Sequence, residues 1–178
     1  YSPDDNFTWT NGNTTILDNA DASWRTATAT QGMKSGKWYF EAKLDAVGSY
    51  GGIGVIDSNQ TYISSYEFGG KSQGYGYYNS GMKHNNGSDT SYGATYTTGD
   101  IISVALDLTN LKIYFAKNGT WQDSGDPTSG ATGTGAAYTV ASGVFYMPCV
   151  GVYANTKWSY NFGNGYFGTT SHGETNAD

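Results

Sequence analysis

Residues 99–121, GDIISVALDLTNLKIYFAKNGTW, constrain the fold of this chain more than any other stretch. Ile102, Val104, Leu106 and Leu108 fall on one face of a period-two pattern, with Ser103 and Asp107 on the other. After Thr109-Asn110 the alternation resumes, placing Leu111, Ile113 and Phe115 opposite Lys112, Tyr114 and Ala116. Asn118-Gly119 then supplies the dipeptide of a tight hairpin turn that leads into Thr120-Trp121. Two antiparallel strands alone are marginal in water, so the rest of the chain has to provide a sheet for them to pack on.

The composition fits that demand. Aromatics reach 16% and charged residues only 13%, with 26 glycines among 178 residues, which is the opposite of a charge-driven disordered chain. The length suits one domain with a single core. A net charge of -6, with nine scattered Lys and Arg, argues against binding nucleic acid. No apolar run approaches the roughly 20 residues of a membrane span. Cys149 is the single cysteine and sits in an apolar run, so it reads as a buried thiol, with no internal disulfide and no zinc set.

Read in order, the chain predicts short strands at 7–9, 14–17 and 24–30, a clear strand at 37–46 and a glycine-marked strand at 51–56. Further strands are expected at 74–78, 92–96, 138–141, 144–153 and 157–162, with 80–90 as a polar turn region. Residues 57–73 and 122–137 read as long loops, and loops beyond about 12–15 residues in a compact domain are usually functional. No segment shows a 3.6-residue apolar period, so the expected class is all-β, a two-sheet antiparallel sandwich with essentially no helix. Residues 1–170 are expected to form one domain, with 1–30 as N-terminal strands. The polar tail 171–178 and the start at Tyr1 read as the ends of a piece cut from something longer.

Several phrases then match one family in order: GKWYFEA at 36–42, GGIGVI at 51–56, GYGYYNSG at 74–81, GDIISVALDL at 99–108, IYFAKNG at 113–119, PCVGVY at 148–153 and NFGNGYF at 161–167. The chain resembles the SPRY domain family over residues 30–168. The resemblance implies a concanavalin-like jelly-roll β-sandwich that recognises partners and performs no catalysis. ILDNAD at 16–21 lies near the place of the LDP element of longer PRY-SPRY proteins without matching it, and Ser103 replaces a glycine of the family pattern. The Thr, Asn and Gly richness further resembles SPRY-type domains of tailed-phage virion proteins, implying a virion or extracellular setting. A peptide-binding adaptor in the cytoplasm and a carbohydrate-binding module are the alternatives.

The resemblance implies that ligands bind end loops, which nominates Tyr62, Tyr66, Phe68, Asn59, Gln60 and Lys71 from the first long loop, and Trp121 and Asp123 at the second. The aromatics offer contact area to a peptide or a sugar ring, and the polar side chains offer hydrogen bonds. The expected partner is therefore a protein or a surface glycan, with self-association in a larger assembly as a further expectation. A sandwich glycosidase would need two carboxyls about 5–5.5 Å apart, and Glu41, Glu67 and Glu174, the only glutamates, show no such pairing in sequence. Glu41 and Asp107 read instead as cross-strand polar partners. His84 and His172 read as solvated loop residues, and no cofactor or metal is expected, although Asp123–Asp126 leaves a calcium ion open.

Overall fold

The computed structural model describes residues 6–19, 23–60, 67–163 and 167. Among these residues fourteen strands run from β1 (Phe7–Thr10), β2 (Thr15–Asp18), β3 (Arg25–Thr28), β4 (Lys37–Ala46) and β5 (Tyr50–Asp57) to β6 (Gly74–Tyr78), β7 (Met82–Asn85) and β8 (Ser88–Ser91). They continue as β9 (Ile101–Asp107), β10 (Lys112–Lys117), β11 (Thr120–Trp121), β12 (Tyr138–Thr139), β13 (Tyr146–Tyr153) and β14 (Lys157–Asn161). All pair antiparallel. One sheet has eight strands in the order β1-β2-β14-β4-β9-β10-β11, with β12 also on β10, and the other has six in the order β3-β13-β5-β6-β7-β8. The only helical segments among the described residues are single 3-10 turns at Phe68–Gly70, Gln122–Ser124 and Gly130–Thr132.

The period-two reading of 99–121 holds where it matters. Ile102, Val104 and Leu106 on β9 and Ile113 and Phe115 on β10 face inward and are fully enclosed, paired Leu106 to Ile113 and Val104 to Phe115. Phe40, Ala42 and Leu44 of β4 continue that face, and Ile53, Val55, Tyr77, Val150 and Val152 of the six-stranded sheet close on it. Asn118-Gly119 adopts positive φ at both residues, 48° and 79°, as a tight turn matched to strand twist requires.

Two expectations fail. Residues 80–90 form the hairpin β7–β8, because Asn86-Gly87 (φ 52° and 71°) supplies a second tight turn that the polar composition hid. Residues 92–96 are not a strand. Tyr92 and Tyr96 are buried there by their side chains, Tyr96 Oη donating to the carbonyls of Tyr77 (2.8 Å) and Gly51 (3.0 Å), one hydroxyl shared between two acceptors. The segment is thus pinned over the core without joining a ladder.

Candidate recognition site

The two long loops belong to different sheets. The first connects β5 to β6, and its described end lies across the outer face of the six-stranded sheet. That face carries glycine where an alternating strand would carry a side chain: a Cβ at Gly76 would lie 2.7 Å from the rings of both Phe68 and Tyr78, and one at Gly54 would lie 2.9 Å from Phe68. The bare backbone makes a trough that Phe68 fills, 1% exposed and stacked on Tyr78 at 5.6 Å. The second loop runs from β11 to β12, both on β10, so it hangs from the edge of the eight-stranded sheet. It folds over Tyr114, whose hydroxyl lies 3.3 Å from Ser129 Oγ, and this explains why an outward-facing tyrosine is buried.

The nominated residues among those described therefore do not converge. Asn59 donates from its backbone and side-chain amides to Asp57 Oδ1 (2.9 and 3.1 Å), and Gln60 Nε2 donates to Gln73 Oε1 (3.3 Å). Lys71 fastens the loop through its backbone, its carbonyl accepting from Gly74 (3.1 Å) and Asn86 (3.2 Å). Trp121 pairs with Ala116 at the edge of the eight-stranded sheet, and Asp123 is exposed with φ 53° in the loop beyond it. Tyr62 and Tyr66 lie outside the described residues.

What the structure does bring together are three aromatics that lie outside both long loops. Trp24 precedes β3, Tyr50 opens β5 and Tyr153 closes β13, and antiparallel pairing carries all three to one end of the outer face. Their centroids are 5.4 Å (Trp24–Tyr50), 5.4 Å (Trp24–Tyr153) and 5.9 Å (Tyr50–Tyr153) apart. Tyr50 is 49% exposed. The platform is held from below. Trp24 meets Tyr78 edge-on at 6.0 Å, and Tyr78 lies over Gly52. The buried Thr156 hydroxyl sits 2.7 Å from the carbonyl of Tyr153 and 2.9 Å from that of Tyr50, and accepts from the Gly48 amide at 3.2 Å. Gly48 is required because a Cβ there would fall on the carbonyl of Ala154. The sequence held a signal for this platform: Tyr153 is the outward residue ending the inward run 146, 148, 150, 152, and Tyr50 opens a strand whose next two outward positions are Gly52 and Gly54.

Beside the trough is an arrangement that corrects the reading of His84 as a solvated loop residue. His84 sits on β7 with Asp89 Oδ1 2.6 Å from Nδ1 and Glu67 Oε1 2.9 Å from Nε2, its ring 5.4 Å from Tyr78. Strand pairing puts His84 opposite Asp89, and the Phe68–Gly70 turn delivers Glu67. Burial raises the Glu67 carboxyl above its ordinary range, a shift that His84 opposes and Asp89 reinforces. The two ring nitrogens point to opposite sides, so the trio clasps loop to hairpin and does not converge on a metal ion; no metal-ligating group of three occurs among the described residues. Glu41 is as expected, meeting Ser103 of the neighbouring strand at 3.4 Å. Asp107, expected to pair across strands, caps the turn that follows it: Oδ1 accepts from the amides of Thr109 and Asn110, and Oδ2 from Asn110 Nδ2. Cys149 is buried and its thiol is pushed well up by desolvation, as an inert core residue would be.

The described residues thus form a two-sheet antiparallel sandwich with three clustered aromatics at one end of its six-stranded sheet. The SPRY domain model matches residues 37–165, so the chain belongs to the SPRY domain family, a non-catalytic protein-interaction module. The chain is 33% identical over 127 residues to the dual specificity protein kinase splA of Dictyostelium discoideum, covering 66% of this chain and 5% of that protein. It is 31% identical over 86 residues to the Ran-binding proteins 9/10 homolog of Drosophila melanogaster (47% and 9%) and 30% identical over 145 residues to the ATP-dependent RNA helicase Ddx1 of the same fly (79% and 17%). The chain thus spans a small part of each of these relatives. The likeness to phage virion proteins finds no support in these matches, which are to eukaryotic proteins.

Proposed function

We propose that the chain is an adaptor-type recognition domain that binds a short segment of a partner protein on the Trp24–Tyr50–Tyr153 platform. The observation that carries this reading is the mutual packing of three rings at 5.4–5.9 Å with Tyr50 half open to solvent. Rigid aromatics provide large contact area at little entropic cost, and they concentrate binding energy at the centre of interfaces. Tyr62 and Tyr66 precede Glu67, which the His84 clasp fixes at the trough, and we keep them as further candidates for the same partner. The family match and relatives that carry this region within much larger proteins support an adaptor setting inside the cell over a virion or extracellular one.

The test is selection from a library of proteome-derived peptides with the wild type, Trp24→Ala/Tyr153→Ala and Trp121→Ala. Peptides enriched on the wild type and on Trp121→Ala but lost on the double variant support the platform. Equal enrichment on all three, with unchanged folding, removes it. Binding on a glycan array that the double variant loses, without any peptide enrichment, turns the reading to a carbohydrate-binding module.

A further inference from the structure

Four large hydrophobic side chains are exposed among the described residues: Trp38 (36%), Tyr50 (49%), Phe145 (45%) and Phe162 (42%). Tyr50 belongs to the platform. The other three gather at the opposite end of the sandwich. Trp38 stands at the start of β4 and Phe162 just past the end of β14, and the pairing of these strands sets both at one end of the eight-stranded sheet. Phe145, just before β13 of the six-stranded sheet, is brought to them by the segment leading into β4, where Met33 bridges Tyr146 and Lys34 lies over the Phe145 ring. Singly scattered apolar residues are ordinary on a surface, but three at one end are not scattered. Each is also held in place. Phe162 stacks on Tyr160 at 5.0 Å and meets Phe40 at 5.9 Å, and Trp38 Nε1 donates to the Ser35 carbonyl at 2.7 Å. Phe145 carries the Lys34 ammonium 4.8 Å above its ring.

The charge at this end runs against that of the molecule. The chain carries -6 overall, yet Lys34 and Lys37 are both exposed here. The carboxylates of the same end, Asp57 and Asp107, are buried and occupied by turn N–H donors, Asp57 by Asn59 and Asp107 by Thr109 and Asn110. Asp107 stands across from Lys37 in the strand register. The surface therefore offers aromatic faces with outward cations and no outward carboxylate among these strand ends.

We propose that this end is a second docking face, which takes an acidic polypeptide segment bearing an apolar side chain. Its carboxylates would meet Lys34 and Lys37 while the apolar group lies on Trp38, Phe145 and Phe162. The face is remote from the platform, so one domain can hold two segments at once.

The five tryptophans give five indole N–H signals, and that makes the two faces separable by NMR. The probes are a short peptide of alternating Glu and Leu, its Lys and Leu counterpart, and oligouridylate. The Glu–Leu peptide should shift the Trp38 indole signal in a saturable way while Trp24 stays in place. Lys34→Glu or Phe145→Ser should weaken the binding roughly tenfold or more, and high salt should weaken it further. No movement of Trp38, an equal response to the Lys–Leu peptide, or an equal response to oligouridylate would each overturn the proposal. Because platform binding is read at Trp24, either face can fail without the other.

Discussion

Single residues in this chain are most informative where they are buried and polar. Desolvation acts to raise the Asp107 carboxyl, but hydrogen bonds from Asn110 and Thr109 outweigh it and hold the group below its ordinary value of 3.8. Asp100 is lowered in the same way, the amide of Thr97 and the side chains of Asn118 and Lys117 outweighing desolvation. A depressed carboxylate contributes stability above its unfolded pKa and loses it as pH falls through the folded value. Urea unfolding should therefore show wild-type stability dropping below about pH 4, with a shallower drop in Asp107→Asn; parallel curves would remove the role assigned to this cap. Burial raises Glu67, so its contribution has the opposite sign and fades as pH rises. Thr156 acts at the same scale. Thr156→Val leaves the Gly48 amide and the carbonyls under the platform without their hydroxyl, and should cost about 1–3 kcal/mol in denaturant unfolding.

At the level of elements, the outer trough of the six-stranded sheet shows how glycine and aromatic positions are coupled. A methyl group at Gly76 would press on Phe68 and Tyr78. Gly76→Ala should destabilise by about 1–3 kcal/mol as overpacking does. Phe68→Ala opens the space the methyl needs, so the double variant should cost less than the sum of the single ones; additive costs would mean that the two do not touch. Gln122 couples elements in another way. It lies buried beyond β11, its Oε1 accepts from the Ala94 amide at 2.8 Å and its Nε2 donates to the Thr120 carbonyl at 2.7 Å. This one side chain ties the edge of the eight-stranded sheet to the strandless segment 92–96. Its composition as a polar residue at the start of a Gly-rich loop gave no hint of that, because the partner is 28 residues away.

For the molecule as a whole, the join between sheets is the quantity to test. Asp18 on β2 belongs to the eight-stranded sheet and Arg25 on β3 to the six-stranded one, and their side chains meet at 3.4 Å with almost no exposure. Breaking a buried ion pair by removing one partner is strongly destabilising, so Asp18→Ala should cost about 3–5 kcal/mol in urea unfolding. Replacing both by apolar residues of similar size should cost much less, and if it costs as much, the pair does more than satisfy its own charges. Thus one polar join between the two layers, beside the shared apolar core, sits at the weakly patterned N-terminal end of the sequence, where local reading saw only short strands.

The sequence alone determined the class of fold. Alternation at 37–46, 99–121 and 144–162 records a half-buried pleat directly, since each residue's face follows from its parity along the strand, and Asn118-Gly119 dictates its own turn. It also determined the ordered phrases by which the SPRY family is visible. Only the tertiary structure decided where the candidate site lies. Trp24, just before β3, meets Tyr50 of β5 and Tyr153 of β13 because β5 and β3 both pair with β13, although the three lie far apart in sequence. Likewise Phe68, nominated as a surface aromatic, is enclosed because glycines on two neighbouring strands leave room for it. Parity along one strand can be read from one segment, whereas proximity across a sheet depends on register and strand order, which are set by how the whole chain packs.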